Sequence, residues 1–305
     1  MAHGSGSGGN GGGASRSGER RSHLFCRHIN PPHCPSWLPL ISFGFNTLTR
    51  VPSPLNQYLK MASNAPGACC ASGFKHEGTP VGETKSIGGT ETYIVYPKGN
   101  QNPEKAVIIL SDIFGIYVNA QLLADEYAEN GYVAIIPDLF HGDPIKLSDM
   151  ESGKADLPAW LPNHQPAVVD PVVEASIKYL RQELGVKRIG AVGYCFGGKY
   201  VCRFLKPGKV DVGYTAHPSF VTEEELAAIA GPLSICASEI DNIFTTPLRH
   251  KSEDILIKTG NPWQINLYSG VTHGFAVRAD LSNKHHKFAK EQAFAQAVSW
   301  FNQYL

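Results

Sequence analysis

The chain carries no excess charge of either sign: 27 basic side chains are matched by 27 acidic ones over 305 residues. A nucleic-acid or anionic-membrane partner calls for a basic surplus, so neither is expected. No C-x-x-C pair occurs. The seven cysteines (Cys26, Cys34, Cys69, Cys70, Cys195, Cys202 and Cys236) are odd in number and irregularly spaced. That argues against a disulfide framework or a zinc site and favours a reducing compartment, the cytoplasm. No apolar run approaches the ~20 residues that span a bilayer. Acidic residues are nearly missing from the first 60 positions, where only Glu19 is negative.

That leading segment differs from the rest. Residues 1–22 are dominated by Gly, Ser and Arg, and 23–54 mix Pro, Cys, Trp and Phe without a period. An Arg- and Ser-rich, acid-poor segment fits a mitochondrial transit peptide. Its glycine tract and proline clusters would spoil an amphipathic targeting helix. The sequence from Met61 onward reads like a natural N-terminus. Residues 1–61 are therefore expected to be a non-functional, disordered extension, with mitochondrial targeting as the alternative. One domain is expected over 62–305. The overall composition, 42% hydrophobic and 18% charged, supplies ample core.

From residue 84 strand and helix patterns alternate. Strands are expected at 92–96, 106–111, 132–137, 188–192, 210–216, 233–237 and 263–268. Helices are expected at 119–130, 171–184, 198–206, 223–230, 247–258 and 284–304. A long loop, 141–165, includes Trp160 and suits a lid or pocket wall by position. Such alternation implies a mostly parallel sheet with helices on both faces.

In sheets of this kind functional groups collect at the carboxyl ends of strands. Those ends here are Asp112, Asp138, Cys195, His217, Asp241 and His273. Cys195 is the centre of Gly193-Tyr194-Cys195-Phe196-Gly197, between an apolar strand and an amphipathic helix. This is the G-x-S-x-G turn that presents a nucleophile, with sulfur in place of oxygen. Glycines flank it because a strained apex leaves no room for side chains two residues away.

Cys195, Asp241 and His273 follow the chain order of an α/β-hydrolase triad. His273 would take the thiol proton and later activate water. Asp241 would orient the imidazole, with Glu239 as its nearest rival. The helix dipole at Cys195 favours thiolate. Backbone amides of Phe196 and Ile113 are the expected oxyanion donors. This chemistry needs neither cofactor nor metal. His217 either lines the pocket or holds a loop, and Asp138 reads as a turn or cap residue. Cys202 and Cys236 read as core, His285 and His286 as surface.

Over 67–305 the chain resembles the dienelactone hydrolase family (carboxymethylenebutenolidase-like), of the fungal or eukaryotic type. The segments that carry the likeness are Ile109-Leu110-Ser111-Asp112-Ile113-Phe114-Gly115, Ile136-Pro137-Asp138-Leu139-Phe140, the cysteine turn with Gly198, Ala216-His217-Pro218-Ser219, and Thr272-His273-Gly274-Phe275-Ala276-Val277-Arg278. The resemblance implies an α/β-hydrolase fold and a cysteine hydrolase opening small lactones or enol esters, typically carboxylate-bearing ones, as a monomer or homodimer. It also implies that Asp112 stands where bacterial members carry a glutamate that interacts with the resting cysteine. The bacterial substrate-carboxylate arginine has Val277 at its position, with Arg278 one residue later. Asp112, His217 and Arg278 are thus the expected substrate-binding residues. Two other readings stand beside this one: a lactone or anhydride hydrolase of a fungal biosynthetic pathway, and a non-catalytic ligand-binding protein.

Overall fold

The computed structural model describes residues 59–305 apart from 68–72, 74–75 and 101–102. The chain divides into two units, Met1–Leu55 and Asn56–Leu305, and the description below concerns the second. The expectations for the leading segment up to residue 58, and for Cys26, Cys34, Cys69 and Cys70, lie outside the described residues. The second unit takes in residues 60–64. Ala62 and Ser63 amides donate to Val221 O, the Glu223 amide donates to Lys60 O, and Met61 bridges Thr222.

Eight strands form one sheet: β1 Glu83–Ile87, β2 Thr90–Val95, β3 Lys105–Leu110, β4 Val133–Pro137, β5 Arg188–Tyr194, β6 Val212–Ala216, β7 Leu233–Ile240 and β8 Trp263–Thr272. Their spatial order is β1-β2-β4-β3-β5-β6-β7-β8. β1 and β2 run antiparallel to their neighbours, and every pairing from β4 to β8 is parallel. This is the α/β-hydrolase fold.

Continuous apolar runs make the central strands because both of their faces are covered. Every residue of β4 and β6 is buried. Along β3 the strand period of two sends Ala106, Ile108 and Leu110 into one core layer and Val107 and Ile109 into the other. The helices are α1 Val118–Glu129, α2 Leu147–Glu151, α3 Leu157–Trp160, α4 Pro166–Lys178, α5 Gly197–Phe204, α6 Glu223–Ala227, α7 Thr246–Thr259, α8 Phe275–Arg278 and α9 Lys284–Tyr304. α1 and α9 cover one sheet face; α4 and α5 contribute to the other.

Several elements depart from the sequence expectation, among them α8, which it lacked, and β8, which runs on to Thr272. β1 is an exposed edge strand with little apolar signal, joined to β2 by Gly88 and Gly89, both at positive φ (60° and 85°). The 141–165 segment holds α2, α3 and a 3-10 turn, Leu161–His164, instead of a plain loop. α4 starts at Pro166, so Pro171 lies inside the helix and not at its first turn. Proline at the first position is pre-organised for a helix, and Pro166 fills that role. β7 runs to Ile240, which puts Glu239 within the strand.

Candidate active site

The parallel register brings the ends of β3, β5, β6, β7 and β8 into one row, with Leu110 opposite Gly193, Tyr194 opposite Ala216, and Ala216 opposite Cys236. Asp112, Cys195, His217, Asp241 and His273 follow those ends. Cys195 sits at φ 52°, a left-handed conformation that costs a non-glycine residue about 1–3 kcal/mol. A Cβ at Gly197 would lie 1.9 Å from Leu110 O, and one at Gly193 would lie 2.6 Å from Gly197 O. Both obstacles are backbone, so neither position tolerates a side chain while the turn keeps its shape.

His273 and Asp241 are locked together. The imidazole Nδ1–H donates to Asp241 Oδ1 at 3.1 Å and Oδ2 at 3.0 Å. The carboxylate also accepts the Ile243 amide at 2.8 Å, the Phe244 amide at 2.9 Å and the Ser238 hydroxyl at 3.0 Å. Burial pushes the Asp241 carboxyl up, but His273 and these two amides outweigh it and hold it below its usual value. Glu239 is exposed and accepts the Gly270 amide at 2.7 Å. The structure therefore brings Asp241 to His273 and leaves Glu239 apart.

The other ring nitrogen, His273 Nε2, is buried, and a hydrogen-bonding contact with Cys195 is among the influences that raise the imidazole pKa. Burial alone lowers the His273 pKa. The negative charge of Cys195, followed by the Asp241 hydrogen bond, reverses this and raises it from 6.5 to about 10. The folded-state value lies above the unfolded one, so the charged imidazole adds stability that is complete below about pH 6.5 and lost as pH rises through about 10.

The Cys195 thiol is fully buried, and its Sγ lies 3.6 Å from Ser219 Oγ. The Ser219 amide donates to Cys195 O at 2.9 Å, which ties the Ala216-His217-Pro218-Ser219 loop to the cysteine turn. Ile113 and Phe196 are both buried, and neither amide donates to the protein among the described residues. Cys202 and Cys236 are buried core thiols, and burial pushes each up to about 12.

Asp112 forms a buried ion pair with Arg278. Its carboxylate also accepts the Phe114 amide and the Tyr117 hydroxyl, each at 3.1 Å. The Arg278 guanidinium lies 4.9 Å from the centre of the Phe114 ring. Burial raises the Asp112 carboxyl; Arg278 opposes this and the charge at Cys195 adds to it. Cys195 is thus felt electrostatically at His273, Asp112 and Arg278 alike.

Ser219 and Tyr117 were not among the expected site residues. The quoted Ala216-His217-Pro218-Ser219 segment was the available signal for Ser219. Tyr117 had none, because its role comes from a turn that folds back on Asp112. Asp138 accepts the Phe140 amide at 3.0 Å and the Gly142 amide at 2.5 Å, as a turn residue does. Trp160 packs on Phe140, His164 and Phe196, with its ring 5.9 Å from that of Phe196. It thereby joins the 141–165 segment to the residue after Cys195. Cys195 and His273 are 0% and 1% exposed.

Among the described residues no three His, Cys, Asp or Glu side chains are grouped to hold a metal ion. Nor is any described helix long and apolar enough to cross a membrane.

Comparison with known proteins agrees with this fold. The family model for the dienelactone hydrolase family matches residues 90–305. The hydrolase pyvD of Aspergillus violaceofuscus is 50% identical over 246 residues, covering 80% of this chain and 99% of its own. The hydrolase tropI of Talaromyces stipitatus is 50% identical over 252 residues, with the same coverage of 80% and 99%. A crystal structure of a putative dienelactone hydrolase from Klebsiella pneumoniae superposes with a TM-score of 0.63 at 18% identity, over 73% of this chain and 99% of its own. This sheet and a family match over most of the chain lead to one conclusion: the chain belongs to the dienelactone hydrolase family, hydrolases that act on ester and lactone bonds.

Proposed function

We propose that this protein is a cysteine-dependent hydrolase that opens small activated lactones or enol esters through a thioester on Cys195. The observation that carries the proposal is the buried Asp241–His273 pair, whose imidazole is electrostatically tied to the thiol at the strained apex. The Cys195 thiolate attacks the carbonyl carbon and forms a C–S bond. The amides of Ile113 and Phe196 hold the resulting oxyanion. The ring C–O bond then breaks, and the leaving oxygen takes the proton from His273. Neutral His273 next removes a proton from water, which attacks the thioester. The C–S bond breaks, and the thiolate returns beside the imidazolium.

Thiolate is itself a good leaving group. An amide intermediate therefore collapses backward unless its nitrogen is protonated, whereas an enol or aryl oxygen departs readily. Lactones and activated esters are favoured over peptides on that ground. A thiolate nucleophile suits a reducing compartment, the cytoplasm. The catalytic domain is taken as 62–305, and a monomer or homodimer is compatible with this chemistry.

A second reading keeps the chemistry and changes the substrate to a lactone or anhydride of a fungal biosynthetic pathway. Two relatives at 50% identity being fungal favours it. A hydrolysis screen over lactones, anhydrides and aryl esters tests both readings, with Cys195→Ala as control. Turnover should depend on Cys195 throughout, and the preferred class separates the readings. Full turnover by Cys195→Ala would overturn both.

A further inference from the structure

Five buried side-chain nitrogen or oxygen atoms lack a hydrogen-bond partner among the described residues. Four follow the ends of β3, β6 and β8: Ser111 Oγ, His217 Nδ1, His217 Nε2 and His273 Nε2. His273 Nε2 is accounted for by its proton transfers. His217 is not used by the mechanism, yet both of its ring nitrogens are unsatisfied and the residue is 0% exposed. A buried polar group without partners destabilises the fold, so one that is kept calls for a role, such as catalysis, strain or a bound group. Its backbone is also strained, at φ 39°. The His217 ring centre is 4.9 Å from that of His273 and 5.9 Å from that of Phe275. It therefore faces the reacting end of the site.

The chemistry of that face is neutral. Burial, then the charges of His273 and Arg278, hold His217 well below its usual pKa. A neutral imidazole offers one N–H donor and one acceptor nitrogen. That pair suits a hydroxyl, which both gives and takes a hydrogen bond. A carboxylate calls for an uncommitted cation. Among the described residues the cations felt at His217 are His273 and Arg278, and each already has a buried acid, Asp241 and Asp112. A substrate carboxylate would be a further negative charge beside Asp112, Asp241 and the Cys195 thiolate.

On the reading that Cys195 is the nucleophile, we propose that His217 is a specificity residue that contacts a hydroxyl on the substrate near the scissile bond. The site thereby prefers hydroxyl-bearing neutral lactones and esters over carboxylate-bearing ones. Three aryl acetates on one skeleton test this: phenyl acetate, 3-hydroxyphenyl acetate and 3-acetoxybenzoate, each normalised to its hydroxide-catalysed rate.

The wild-type kcat/KM for the hydroxyl ester should exceed that for the carboxylate ester by about 10- to 100-fold, mainly through KM. His217→Phe should reduce this ratio to within about threefold by raising KM for the hydroxyl ester, and His217→Gln, which keeps a donor and an acceptor, should restore most of it. A structural role alone would slow all three esters together and leave the ratio unchanged. Preference for the carboxylate ester in the wild type, or an unchanged ratio in His217→Phe, would overturn the inference. If turnover is Cys195-dependent and the carboxylate ester still wins, only this inference fails. If Cys195→Ala turns over all three esters, the reading beneath it fails.

Discussion

Cys195→Ser should lose about 1,000-fold in kcat/KM on p-nitrophenyl acetate, a barrier increase of about 4 kcal/mol. The two side chains differ little in shape, so the loss comes from ionisation. The negative charge of Cys195 is the largest influence raising His273, and it is felt at Asp112 and Arg278 as well. A serine hydroxyl stays protonated beside the same imidazole at neutral pH and removes that charge. His273 should then titrate well below the value of about 10 that it reaches next to the thiolate. Proton NMR of the imidazole in both forms reads this directly. Wild-type-like turnover with an unmoved titration would show that Cys195 bears no charge in the working enzyme.

The second large effect is expected at the acid. Asp241→Asn should lower kcat by about 1,000- to 10,000-fold, while Glu239→Gln stays within about twofold. Asp241 accepts from the Ile243 and Phe244 amides, the Ser238 hydroxyl and His273 Nδ1. An asparagine must turn its NH2 toward at least one of these donors. If it faces His273, Nδ1 has to accept, the proton moves to Nε2, and the base points the wrong tautomer at the thiol. Glu239 lies on the exposed end of β7 and touches only the Gly270 amide among the hydrogen bonds described. Steady-state kinetics on the two purified variants decides between the acids, and a large loss in Glu239→Gln alone would reverse the assignment.

The sheet was readable from the sequence where burial is two-sided. β3 and β4 are unbroken apolar runs closed by an acid, and α9 starts and stops where its pattern does, at Lys284 and Tyr304. β1 escaped because an exposed edge strand needs no apolar face, and Gly88-Gly89 is its main local signal. In α4 two prolines compete as the helix start, and Pro166 holds that position while Pro171 lies inside.

The same division holds at the site. Asp112, Cys195, His217, Asp241 and His273 end strands, a position that local pattern reveals. The pairing of Asp112 with Arg278, 166 residues apart, and the approach of Ser219 to Cys195 arise from loops folding over the sheet. No periodicity encodes either. Asp241 is the acid that chain order selects, and β7 extends past its rival Glu239 and ends just before Asp241.

The central claim is that the acyl group passes through sulfur. Rapid acid quench of the enzyme during turnover of p-nitrophenyl acetate, followed by intact mass and peptide mapping, tests it most directly. The account predicts one acetyl group on the peptide containing Cys195, labile to hydroxylamine and missing from Cys195→Ala. Sustained turnover with no adduct on Cys195, or an adduct on Ser219 whose oxygen lies 3.6 Å away, would contradict it.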